Sequence, residues 1–79
     1  MARIRSMKHS ISSGRIHPTD TDAEWTVVTS PTGDKYLQIT TFGSDSRVSD
    51  PKPSQTIQIN AEIAGELQRI LAATFGIPS

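Results

Sequence analysis

Two aromatic residues, Tyr36 and Phe42, stand six positions apart in the run Tyr36-Leu37-Gln38-Ile39-Thr40-Thr41-Phe42. Side chains alternate along an extended strand. Tyr36, Gln38, Thr40 and Phe42 are therefore expected on one side of this run, and Leu37, Ile39 and Thr41 on the other. Aromatic rings on an open polar face can stack on nucleobases, a contact of about 1–3 kcal/mol per base that tolerates any sequence. Cations are needed beside them to meet phosphates. Arg47 and Lys52 in the loop that follows, and Arg3, Arg5, Lys8 and Arg15 near the N-terminus, are the candidates.

Other chemistry has little to work with. His9 and His17 lie eight residues apart in an irregular stretch, and a metal site needs three or four convergent ligands. No nucleophile is accompanied by the signature of a base and an orienting group. Thr41-Phe42-Gly43-Ser44 has a single glycine and neither the lysine nor the helix of a phosphate loop. Asp20 and Asp22 fall in a turn, and Glu62 and Glu66 lie one helical turn apart, as caps and a solvated face would have them. The expectation is therefore no catalysis, no cofactor and no metal.

The elements that must position the aromatics are legible in outline. Trp25 to Thr29 reads as a strand, because aromatic and β-branched residues fit a pleated surface. Trp25 and Val27 share one face, and Trp25 is expected in the core. Ser30-Pro31-Thr32-Gly33-Asp34 reads as a turn, making residues 25 to 42 an antiparallel hairpin. Gln55 to Ile59 is a further strand, with Ile57 and Ile59 opposite Thr56 and Gln58. The polar face thus carries Tyr36, Gln38, Thr40, Phe42, Thr56 and Gln58. Residues 43 to 54, rich in Gly, Ser, Asp and Pro, form a long loop expected to be the most mobile internal segment. Asn60 is a natural helix N-cap, with Glu62 in the first turn. Ile63, Leu67, Ile70, Leu71 and Thr74 or Phe75 repeat at helical spacing up to Gly76. Gly65, unfavourable inside a helix by about 1 kcal/mol relative to Ala, is read as a mark of close approach to the sheet or to a partner helix. The segment Ile11 to His17 has the makings of a short strand bent at Gly14.

These elements predict an α+β fold, a small antiparallel sheet of three to four strands backed by one C-terminal amphipathic helix. Residues 1–18 form a basic arm and 19–79 the single domain. Seventy-nine residues bury only about 60% of their unfolded surface, and the chain has no cysteine with which to staple itself. Self-association is expected to make up the difference, so a homodimer is the expected state. No apolar run approaches the roughly 20 residues that span a membrane, and a cysteine-free chain is compatible with the cytoplasm. Net charge is zero but uneven: the arm up to residue 19 holds four of the eight basic residues and none of the eight acidic ones.

The order strand, loop, strand, helix over roughly residues 25 to 75 resembles the single-stranded-DNA-binding core of the positive cofactor four family of transcriptional coactivators, which includes small bacterial relatives. Tyr36 to Phe42 resembles the family strand ending in an aromatic. Gln55 to Asn60 resembles its strand of alternating aliphatic and small polar residues, and Glu62 to Leu71 its helix. The resemblance implies a curved sheet backed by a helix, a homodimer, and single-stranded DNA bound on the sheet and its loops. The chain departs from the family at Thr40, where an arginine is usual, and at Gln55 and Thr56, where a lysine and a glycine are usual. Both departures remove positive charge from the implied DNA surface. Tyr36-Leu37-Gln38, Gly43-Ser44-Asp45-Ser46-Arg47 and Ser54-Gln55 also resemble a set of short bacterial proteins. Some of those carry a formyltransferase-like label, which nothing in these residues supports. Two readings follow: a homodimeric regulatory domain binding single-stranded DNA or RNA, or a protein-binding regulatory module with no nucleic-acid or catalytic role.

Overall fold

The computed structural model describes residues 1–43 and 53–78. Four strands and one helix follow in the order β1 (Ala2–Arg3), β2 (Ala23–Thr29), β3 (Lys35–Phe42), β4 (Pro53–Ile59) and α1 (Ala61–Phe75). The strands form one sheet in the order β1-β4-β3-β2. This is the α+β architecture read from the sequence, with one difference: β2, β3 and β4 form an antiparallel meander, but β1 runs parallel to β4, so the sheet is mixed.

The β2–β3 turn is built as its residues dictate. The Gly33 amide donates to the Ser30 carbonyl at 2.9 Å and the Ser30 amide to the Asp34 carbonyl at 2.8 Å. Gly33 takes φ of 90°, a conformation that strains side chains bearing a Cβ. The Asp34 amide bonds the Ser30 hydroxyl at 3.1 Å. The register from Ala23↔Thr41 to Thr29↔Lys35 follows from this turn.

Pairing divides the sheet into two faces. Val27, Leu37 and Ile59 stand in one row and Trp25, Ile39 and Ile57 in the next, all on the apolar side. The opposite side carries Thr26, Gln38 and Gln58, then Glu24, Thr40 and Thr56. The expected division into an aliphatic and a polar face is therefore present. Pro53 is the first residue of β4, where the missing amide breaks no interior ladder. Phe42 pairs with Pro53 while Thr41 pairs with Gln55, an irregularity at the end of the ladder.

Helix α1 is capped at both ends. Asn60 is extended, and its side chain accepts from the Ile63 amide at 2.9 Å. Gly76 is left-handed at φ 67°, and its amide closes on the Ala72 carbonyl. The stripe is less well covered than its spacing predicts. Ile63 and Ile59 are the only buried hydrophobics among the described residues. Helix α1 meets chiefly β4, so Ile70, Leu71 and Phe75 remain exposed, and Trp25, expected in the core, is 72% exposed. A Cβ added at Gly65 would meet only the Arg69 guanidinium, at 3.9 Å; within one chain this glycine does not press on the sheet.

Ile11 to His17 forms no strand and is exposed throughout. Ala2 and Arg3 pair with β4 only at Ile57 and Gln58, and the Ser-Ser-Gly run gives Ile11 to His17 no apolar face with which to dock on the sheet. The described chain has a radius of gyration of 14.9 Å, against roughly 11.6 Å for a compact domain of this length.

Candidate nucleic-acid interface

The polar face is a ladder of paired side chains bounded by the two aromatics. Gln58 Nε2 donates to Gln38 Oε1 at 2.9 Å, and the Thr40 and Thr56 hydroxyls lie 3.2 Å apart in a mutual hydrogen bond. These contacts bridge β3 and β4 directly across the middle of the polar face. Tyr36 and Phe42, both half-buried, stand at opposite ends of β3. Six residues of strand separate them by roughly 20 Å, too far to clasp adjacent bases.

The Tyr36 end is where charge and ring converge. Arg3 pairs with Gln58, and the Ile4 amide donates to the Gln58 carbonyl at 2.9 Å. That short parallel pairing delivers the start of the chain to the sheet. Arg3, Arg5 and Ser6 line an open cleft together with Tyr36, Gln58 and Asn60. Two guanidiniums beside a phenol ring and two amides have the right chemistry for one phosphate and one stacked base. Arginine suits such a site because its planar fork matches phosphate geometry and stacks on aromatic faces.

At the Phe42 end the backbone is tied from the other side. The Phe42 amide donates to the Asp22 carbonyl at 3.3 Å, and the Thr21 hydroxyl donates to the Phe42 carbonyl. Arg47 and Lys52, expected to flank the face, lie outside the described residues.

The remaining arm cations go elsewhere. Lys8 lines a groove with Met7, His9 and the helix residues Glu66, Arg69 and Ile70, so the arm turns from the sheet onto α1 after Ser6. Arg15 is exposed in the extended stretch. Of the ten residues singled out in the sequence, Arg3, Arg5 and Tyr36 share one cleft, Gln38 and Thr40 lie in the adjoining ladder, and Phe42 closes its far end.

Three residues of this surface escaped the sequence reading of the site. Gln58 was legible on the polar face but not as a lining of the cleft. Asn60 was legible only as a cap. Glu24 was missed because the strand starts two residues before Trp25; extending the alternation places its carboxylate opposite Thr40. Glu24 is exposed and sets a negative charge on the face that would meet phosphates. No group of three or more His, Asp or Glu capable of holding a metal occurs among the described residues, and none of the described helices is long and apolar enough to cross a membrane. Comparison with protein-family models, with curated proteins and with solved structures finds no match.

Proposed function

We propose that this chain is a small, non-catalytic regulatory domain that binds single-stranded nucleic acid as a homodimer in the cytoplasm. The observation that carries the reading is the meeting of Arg3 and Arg5 with Tyr36 at one end of the polar face. A base stacked on Tyr36 would leave its phosphate within reach of two guanidiniums, and the Gln38–Gln58 and Thr40–Thr56 rungs would flank the strand as it leaves. The resemblance to the coactivator family supports the same use of the sheet, and transcription is the process it implies. Fluorescence anisotropy with labelled single-stranded oligonucleotides tests it. Binding that weakens steeply with salt is expected, and the absence of binding at low salt overturns the proposal.

A second reading, a protein-binding regulatory module without a nucleic-acid role, is favoured by Glu24. Its carboxylate opposes phosphate, and the glutamine and threonine side chains beside it already satisfy one another. On that reading the polar face meets a protein, and Tyr36→Ala leaves oligonucleotide anisotropy unchanged while abolishing capture of that partner.

A further inference from the structure

We infer that a second copy of this chain covers the apolar face of the sheet. The C-terminal half of each α1 lies on β2 and β3 of the partner across a two-fold axis. This deepens the homodimeric part of the reading above by naming its surface, and it stands apart from whether nucleic acid binds.

One chain leaves two apolar surfaces uncovered. The first is the sheet face, where Trp25 is 72%, Val27 55% and Ile57 38% exposed. An open hollow there is lined by Ala23, Trp25, Leu37 and Ile39, with Glu24 at its rim. The second is the far half of α1, where Leu71 and Phe75 continue the stripe that Ile63 begins, followed by Ile77, while Ile70, flanked by Met7 to Ser10 of the arm, is still 48% exposed. The two cannot cover each other within the chain, since α1 is anchored at its start beside Ile59 and meets chiefly β4. A two-fold axis solves both at once, because each copy offers a helix and accepts one, and such an isologous contact closes at two subunits.

The areas agree. The chain exposes 7240 Å², against roughly 4,700 Å² for a compact monomer of this mass. Part of the surplus belongs to the extended stretch around Ile11 and Ile16. The uncovered sheet face at Trp25, Val27 and Ile57 and the far half of α1 contribute to the remainder, and obligate homodimers bury such apolar surface. The chemistry agrees as well. The rows Val27-Leu37-Ile59 and Trp25-Ile39-Ile57 contain no charge, so this face suits an apolar stripe and not a phosphate backbone. Two buried hydrophobics among the described residues also make a small core for a lone chain of this length, and a second copy is the one partner always present when it folds.

Trp25 is the only tryptophan and reports on the face directly. Sedimentation velocity of the wild-type chain at micromolar concentration is expected to give the mass of a dimer. Trp25 is expected to emit in the blue, to resist acrylamide, and to shift red as dilution dissociates the dimer. Phe75→Glu is expected to raise the dimer dissociation constant by at least about tenfold, and Phe75→Leu to retain the dimer. A monomer at tens of micromolar overturns the inference, and so does a dimer whose Trp25 is as open to acrylamide as free tryptophan. A dimer that binds no oligonucleotide leaves this inference standing and removes the nucleic-acid proposal; a monomer that binds one does the reverse.

Discussion

Tyr36 and Phe42 look equivalent in the sequence, and their surroundings separate them. The Tyr36 ring shares a cleft with Arg3 and Arg5, whereas Phe42 sits opposite Pro53 at an irregular end of the ladder. Tyr36→Ala is therefore expected to cost about 1–3 kcal/mol in oligonucleotide affinity, with Phe42→Ala costing less, both read by anisotropy at fixed salt. Arg3→Ala and Arg5→Ala are each expected to lower the slope of log K against log salt by roughly 0.7. That result would separate phosphate contact from loss of structure. Glu24→Gln removes the one described carboxylate that pairing places on the polar face and should tighten binding by up to about fivefold. The aromatic was legible because strand alternation is a local rule. The arginines beside it were legible only as charge, since nothing in their neighbours says that residue 3 returns to residue 58.

At the scale of elements, the strongest local signals gave the most faithful readings. β2, β3, β4 and α1 lie where alternation and helical spacing put them, each strand beginning one or two residues earlier than its apolar pattern. Asn60 and Gly76 cap α1 by the geometry their types favour. Asn60→Ala, which removes the 2.9 Å acceptor of the Ile63 amide, is expected to cost about 1 kcal/mol. For a domain of this size that is a fall of about 4–8 °C in thermal midpoint, measured by circular dichroism. β1 was not legible, because two residues carry no period. Its place depends on the free edge of β4, which is a property of the assembled sheet. Ile11 to His17 has aliphatic residues at Ile11 and Ile16 but no alternation that would dock one face of it on the sheet.

Taken whole, the chain has well-formed elements and a sparse core. The sequence predicts which residues are apolar and which face they share, but not whether another chain is needed to cover them. Trp25 shows the difference: its type argues for burial, its face is the right one, and one copy leaves it open. If two copies bury that face, stability is tied to association. The thermal midpoint should then rise with protein concentration, checked by melting over a hundredfold dilution series. A midpoint independent of concentration would mean that one chain stabilises itself.

The parallel pairing of Ala2 and Arg3 with Ile57 and Gln58 has a consequence in time. The turn at Ser30–Asp34 lets β2 and β3 zip locally, whereas β1 must close a span of 55 positions between Arg3 and Gln58. Contacts so remote in sequence carry the larger closure entropy and tend to form late. β1 is also held by few bonds, so it should detach while the meander persists. Hydrogen exchange can watch this happen: the Ile4 amide, bonded to the Gln58 carbonyl, should exchange by local opening and far faster than the protected amides of β3. The cleft beside Tyr36 would then be the last part of the molecule to assemble and the first to come apart, with its two arginines leaving together on a hinged strand.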